Sequence, residues 1–367
     1  HHSTSRTYGP KFVELFGPPR THESAFFTPL TDPDRAGPKA DENQHYADIA
    51  ASIQLVTEEA VLQMARHAHE LTGSRRLCMA GGVALNSVAN GRIVRETPFE
   101  EVFIQPAAGD SGGALGAALW AHHLLLERPR RFVMEHAFWG AEFSAEQCRA
   151  AIDAYGVPYQ EFDDEELLLD EVVAILLAGG IVGWHRGRFE WGPRALGNRS
   201  ILADPRSAAM KDVVNTKIKF REPFRPFAPV VLEDRAEEYF DLPGLQDMYP
   251  ARYMLLVAPI HAAKQDEIPA VTHVNGTGRL QTVRRETNPA YYRVIEKFAE
   301  ATGVPVLLNT SFNLRGEPIV SSPADALSTF AHSDIDALVL GRLLVSKDDP
   351  ATREALSSVP PPKTVAD

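Results

Sequence analysis

Cysteine is almost missing from this chain: two in 367 residues, Cys78 and Cys148, with Cys78 inside an apolar strand-like run. That excludes a disulfide framework and a cysteine-built zinc site, and it fits a reducing, cytoplasmic setting. An excess of positive charge is lacking too. Lys and Arg number 37 against 49 Asp and Glu, a formal net charge of −12. This balance argues against nucleic acid or an anionic membrane as the main partner, while leaving room for a local basic pocket. No apolar run is long enough to span a bilayer, and no secretory leader pattern opens the chain. The first residue is His1, not Met, so the sequence reads as an excerpt. What is present, 44% hydrophobic and 23% charged residues, is ordinary for a globular protein, and at this length two domains are the default.

Residues 1 to about 43 are rich in Pro, Gly and charge and read as loop. A helical stripe follows through Ile49, Ile53, Val56, Ala60, Met64 and Leu71, ended by Gly73. Then come a strand at 77–80, a Gly-rich turn and helix over 81–94, a strand at 102–104 and a helix over 110–126, which together make an α/β half-domain. The aperiodic stretch 127–143 reads as a linker. A second unit opens at Ser144, a helix N-cap, and alternates strands (181–184, 200–203, 254–258, 304–308, 337–340) with helices near 166–178, 206–216, 288–302 and 323–331. The fold class is mixed α/β. The tail from Asp348, with Pro360-Pro361-Pro362, reads as disordered.

The densest chemistry lies in 187–206, where Arg188, Arg194, Arg199 and Arg206 are interleaved with Gly and Pro after an apolar run. Such a loop is either a phosphate grip, with guanidinium forks converging on an anion, or a surface loop whose arginines pair with carboxylates. A second basic cluster about twenty residues on, Lys217 to Pro229 with Lys219, Arg221 and Arg225, favours the grip and a small polyanion as ligand. Ala80-Gly81-Gly82-Val83-Ala84-Leu85-Asn86 sits between strand and helix and is either a tight turn or a loop that lets an anion approach the backbone. Asp110 opens a small-residue helix, as its N-cap or as a metal ligand facing a nucleotide. Asn309-Thr310-Ser311-Phe312-Asn313 follows an apolar strand, at the end where ligands collect in open α/β sheets. Arg279 stands beside glycines, and His273 reads as a hydrogen-bonding structural histidine.

Taken together, Ala80 to Asn86, Gly109 to Gly112, Trp191-Gly192-Pro193-Arg194-Ala195-Leu196-Gly197, Arg221 to Pro226 and Leu308 to Asn313 resemble the nodulation-factor and antibiotic O-carbamoyltransferase family over nearly the whole chain. Members join a metal-dependent, actin-like ATPase-type domain to a YrdC-like domain. The resemblance implies a partial actin-like lobe over 1–135, a YrdC-like mixed α/β domain over 136–347 and a tail over 348–367. It implies that carbamoyl phosphate and ATP give carbamoyl adenylate and pyrophosphate in the YrdC-like part. An iron(II)-dependent transfer to the hydroxyl of a small acceptor, such as a sugar or natural product, would follow, and Mg is compatible with the nucleotide. By the same resemblance Lys219 and Arg221 match a K-x-R motif and Ser311 and Asn313 an S-x-N motif. Arg194, Arg225 and Arg279 match phosphate-facing basic positions, Gly81, Gly82 and Asn86 a nucleotide-facing loop, and Asp110 a metal ligand. One departure stands out: the family's H-x-x-x-H metal motif is absent, since no two histidines here are four apart. The expectation is therefore a chain whose N-terminal lobe is missing and whose own metal binding and group transfer are impaired. Rival readings are a threonylcarbamoyl-adenylate enzyme of tRNA modification, opposed by the acidic balance, and hydrogenase maturation, opposed by the shortage of cysteine. A non-catalytic nucleotide-binding module is a third. Oligomeric state and acceptor are left open.

Overall fold

The computed structural model describes residues 8–21, 24–222 and 224–362. The chain divides into two compact units, one up to His67 and one from Ala68 on. The division expected between 135 and 136 falls inside the second.

In the first unit lie α1 (Pro10–Phe16), a 3-10 turn at Pro33–Arg35 and most of α2 (Pro38–Thr72). The loop expected up to residue 43 is thus partly helical. The opening turns of α2 carry no apolar stripe to betray them, and their support is polar: Lys39 pairs with Glu42 at 2.9 Å, and Gln44 Nε2 donates to Asp48 Oδ1 at 2.8 Å.

The second unit begins with a parallel pair, β1 (Arg76–Met79) and β2 (Glu101–Ile104), enclosing α3 (Ser87–Glu96) and followed by α4 (Gly112–Trp120). α5 (Ala145–Asp153) starts at a capping box in which Ser144 and Gln147 bond each other's backbone. After it come β3 (Gln160–Glu161), α6 (Glu165–Leu177), β4 (Val182–His185), β5 (Arg199–Ala203), α7 (Ala209–Val213) and β6 (Ala228–Leu232). Next are α8 (Tyr249–Arg252), β7 (Leu256–Pro259), α9 (Ala262–Gln265), β8 (Thr277–Val283) and α10 (Pro289–Thr302). β9 (Val306–Ser311), α11 (Pro323–Ala331), β10 (Ala337–Leu340), β11 (Leu343–Ser346) and α12 (Pro350–Leu356) close the described chain. α10 shows how the sequence sets its ends: Asn288 caps, Pro289 occupies the first turn, and Gly303 stops the helix at φ 80°.

Strands three to eleven form one mixed sheet of nine strands in the order β3-β11-β10-β4-β5-β9-β6-β8-β7. The expected mixed α/β class is what is found. β4, β5, β6 and β10 are buried along their whole length, and α6, α10 and α11 pack on the sheet through Leu168, Val172, Ile295, Phe298, Leu327 and Phe330. β6 and β8 escape the strand expectations because β6 follows a Pro-rich run and β8, TGRLQTV, has only Leu280 and Val283 as large apolar residues.

The registers fix the polarity. His185 pairs with Arg199, Ser200 with Ser311, Asn309 with Ala228 and Val230 with Gln281. The C-terminal ends of β4, β9 and β10 therefore share one end of the sheet with the N-terminal ends of β5, β6 and β8. The loops that hold Arg194, Lys219 and Arg225 open at that end, as does the Ser311–Asn313 segment, whereas Arg206 follows β5 at the opposite end.

Two expectations are corrected here. The stretch 127–143 has no regular structure yet is packed: Met134 and Ala137 are buried, Phe138 bridges Glu190, and Tyr253 Oη donates to Met134 O at 2.7 Å. The tail expected to be disordered from Asp348 instead forms α12, with Leu356 and Val359 buried in the core, while 363–367 lie outside the described residues.

Gly197, at φ 109°, has the Tyr291 ring so close that an added Cβ would lie 2.2 Å from it. Tyr291 is fully buried and has nowhere to go. Gly197→Ala should cost more than about 2 kcal/mol of stability, combining backbone strain with overpacking. A urea midpoint like that of the unaltered protein would contradict this account of the loop.

Candidate functional site

The loop 186–198 is shaped by two buried, opposite charges. The Glu190 carboxylate accepts from the backbone N–H of Leu196 and Asn198, each at 2.8 Å, and of Arg199 at 3.2 Å. The Arg199 guanidinium, fully buried, donates to the carbonyls of Arg186 (3.0 Å), Gly187 (3.2 Å), Asn198 (2.9 Å) and Ser321 (3.2 Å). Burial pushes the Glu190 carboxyl up and draws the Arg199 guanidinium down to about 10. From the sheet side, Asn309 Nδ2 donates to Ala195 O and Gln281 Nε2 to Leu196 O at 2.7 Å, while Gln281 Oε1 accepts from Asn309. Gly192 completes the turn at φ 124°, with Pro106 O 2.7 Å from where a Cβ would stand.

The four arginines of this segment do not converge, contrary to the sequence expectation. Arg188 pairs with Glu142 at 3.6 Å, Arg206 with Asp204 at 2.7 Å, and Arg199 is consumed by carbonyls. Arg194 is left, half-buried, its Nε shielded and without a partner. Burial lowers its guanidinium from the usual range.

Lys219 and the S-x-N segment do meet. The Lys219 ammonium donates to Asn313 O at 2.9 Å, Asn313 Oδ1 at 2.8 Å, Ser311 Oγ at 3.3 Å and Ser311 O. Burial first, then the Arg221 charge, hold this ammonium well below its ordinary range, with Glu317 opposing. Arg221 lies over the Phe227 ring and donates to Asn215 Oδ1 at 2.6 Å. Burial and the Arg225 charge draw it down to about 10. Arg225 itself is exposed and turned to Glu222 at 2.8 Å.

Arg279, in β8, joins the two clusters. Burial, then the positive charges of Arg194 and Arg221, draw it down to about 9, and no carboxylate counters them. His273 is its neighbour: burial, then Arg279, then Lys211 hold the imidazole at about 4. Arg279 thus feels the charges of both Arg194 and Arg221 in a largely dry place, and Lys219 feels that of Arg221, with Glu222 as the acid acting on Arg221. Such an arrangement is unfavourable until an anion fills it. Lys211 and Asn215 were missed in the sequence. Nothing marks Lys211 beyond its charge, and Asn215 shows its use only in space.

The other sequence candidates lie apart, around β1 and β2. Gly81, at φ 100°, donates its N–H to Ala108 O at 2.8 Å, and Gly82 lies against Gly109. Asn86 accepts from Ala89 N–H at 3.2 Å and so caps α3. Gly81, Gly109 and Asp110 line a cavity of about 680 Å³. Asp110 is exposed and makes no cap bond at α4, whose N-cap position is Ser111. Among the described residues no group of three or more His, Cys, Asp or Glu side chains could hold a metal ion. The donors present do not fit an iron(II) site, and Asp110 has no companion ligand there.

Two family models match the chain: Carbamoyltransferase C-terminus over residues 173–347, and Carbamoyltransferase N-terminus over residues 11–119. The first spans every basic residue of the sheet-end cluster. The chain belongs to the carbamoyltransferase family. It is 46% identical over 307 residues to nodulation protein NolNO of Sinorhizobium fredii, covering 83% of this chain and 44% of that protein. It is 44% identical over 324 residues to nodulation protein NolO of Bradyrhizobium diazoefficiens, covering 87% and 58%. An uncharacterized Synechocystis protein is 42% identical over 370 residues, covering 94% and 57%. The chain spans about half the length of the curated relatives it matches.

A pH dependence follows from the buried imidazoles. His185, which donates from Nε2 to Ser321 O at 3.0 Å, is held at about 4 by burial and then by Arg199, as against 6.5 for an ordinary histidine. Between those values the unfolded chain binds more protons than the folded one. The stabilisation is therefore complete above about pH 6.5 and is lost as pH falls through 4, on the order of 3 kcal/mol for a fully buried group. Denaturant midpoints that hold constant from pH 7 to 4.5 would contradict this.

Proposed function

We propose that residues 136–347 form a YrdC-like site that makes carbamoyl adenylate from carbamoyl phosphate and ATP, within an ATP-dependent O-carbamoyltransferase. The supporting observation is the Lys219 ammonium bound to the Ser311–Asn313 segment, beside Arg221, with Arg279 flanked by the charges of Arg194 and Arg221 and countered by no carboxylate of its own. A site that must bring two phosphate-bearing substrates together needs fixed positive charge in a drained pocket, for binding and for the charge that moves to the leaving pyrophosphate.

The atoms balance with one water. Carbamoyl phosphate yields carbamate and inorganic phosphate, a carbamate oxygen forms a bond to the ATP α-phosphorus, and the α–β bond breaks to release pyrophosphate. Arg194, Arg221 and Arg279 would hold phosphate oxygens through both breaks. Lys219, freed from Ser311 and Asn313 or reaching past them, would regain its full charge against the polyphosphate. Residues up to 135, with Gly81, Gly82, Asn86 and Asp110, would belong to an actin-like part that passes the carbamoyl group to the hydroxyl of a small acceptor. The further ligands an iron(II) would need are proposed to lie in the length of the relatives that this chain does not span.

Arg194→Ala and Arg279→Ala should each lower pyrophosphate release from ATP plus carbamoyl phosphate by about ten- to a thousandfold, the usual effect of losing one preorganised charge contact. Wild-type rates and ATP affinity in both variants would move the site elsewhere.

The 367-residue chain alone should hold no stoichiometric iron, because one exposed carboxylate does not make a durable divalent site. Elemental analysis finding one tightly held metal per chain would contradict that reading.

A further inference from the structure

One polar group beside the cation cluster is left without a task. His273 Nδ1 lies 3.0 Å from Thr277 Oγ1, and that hydroxyl gives its proton to Asn275 Oδ1 at 2.7 Å. Thr277 can then only accept from the imidazole, so Nδ1 carries the hydrogen and Nε2 is a bare acceptor. Nε2 is shielded from solvent and has no partner.

The strand places this acceptor. Thr277, Arg279 and Gln281 alternate along β8 and so share one face of it. At one end of that row Thr277 orients His273. In the middle stands Arg279, and at the other end Gln281 holds the loop that carries Arg194. Lys211, half-buried in α7, is the second charge acting on the ring. A lone pair set among phosphate-binding cations cannot serve the phosphate, which is itself an acceptor. It needs a donor attached to the anion.

We infer that His273 Nε2 accepts a hydrogen bond from the amino group of carbamoyl phosphate, and thereby separates that substrate from acyl phosphates of the same shape. The inference rests on the reading that this site takes carbamoyl phosphate. The carbamoyl nitrogen is bonded to the carbon that bears the phosphate oxygen, so an anion held by Arg279 and Lys211 carries this donor close to the ring. The adenine amino group is a nucleoside's length from its phosphates. Arg279 and Lys211 both act on the ring and both are long side chains, so an anion held by them would reach its edge.

Acetyl phosphate, with a methyl in place of the amino group, is the matched probe. By calorimetry on the 367-residue chain, carbamoyl phosphate should bind about tenfold more tightly than acetyl phosphate, the size of one net hydrogen bond. His273→Phe should bring the ratio of the two dissociation constants close to one, and His273→Gln, which keeps an acceptor, should restore part of it. A merely structural histidine would weaken both ligands in proportion and leave the ratio intact, which would overturn the inference. So would a His273→Phe defect seen only against ATP and lost with deoxyribose analogues. Should His273→Phe fail to fold, Thr277→Val, which removes the group that fixes the tautomer, must lower the ratio, and an unchanged ratio there is equally decisive. Binding of neither acyl phosphate by the unaltered protein would remove the proposed function as well. Binding without discrimination removes this assignment alone.

Discussion

Everything at the open end of the nine-stranded sheet depends on the buried opposition of Glu190 and Arg199. Neither charge faces solvent, and each spends itself on backbone groups in and around a tight loop: three N–H groups on the carboxylate, five carbonyls on the guanidinium. A buried pair of this kind is weak evidence for stability, because desolvation offsets much of its attraction. Its effect here is geometric. With the loop's internal hydrogen bonds satisfied from within, the half-buried Arg194 is left with no acceptor for its Nε.

The electrostatic pattern is one of separation. A chain of net charge −12 carries enough carboxylate to neutralise every arginine, and most are neutralised: Arg188, Arg206, Arg225, Arg252 and Arg284 all have acid partners. At the sheet end Glu222 takes Arg225 and Glu165 takes Arg186, but among the described residues no acid is paired with Arg194, Lys219 or Arg279. Glu190 turns inward to backbone, and Glu317, next to Lys219, accepts from Leu314 N–H and Thr329. The long-range field is acidic and the local one basic, which suits a small polyanion and gives little grip on a polynucleotide.

Much of this was legible in the sequence. The strands β4, β5, β9 and β10 announce themselves as apolar runs, and the two short motifs that carry Lys219, Ser311 and Asn313 point to one site in the resemblance and meet in the fold. Two kinds of information were not on the surface. Arg188, Arg194, Arg199 and Arg206 look alike in a string, and only the fold says that one is a framework residue, two are ion-paired and one is available. His273 was read as a structural histidine because a single residue carries no sign of its partners; its bare nitrogen becomes visible once the chain of donors through Thr277 and Asn275 is drawn. The helical start of α2 and the packed tail were missed for a related reason: polar side-chain pairs and long-range burial leave no period to read.

The turn just before Lys219 has a further meaning. Residues Val214–Ile218 are wound as a π-helix, and Lys219 N–H reaches back to Val214 O at 3.0 Å. One extra residue inside a helical turn is a phase shift of roughly 100° about the axis. The polar-basic run after it is therefore aimed by a counting device and not by its composition. A lineage that dropped a single residue between α7 and Lys219 would keep the same motif in its sequence and point it at different surroundings, so the spelling of the K-x-R signature and its direction in space are inherited separately.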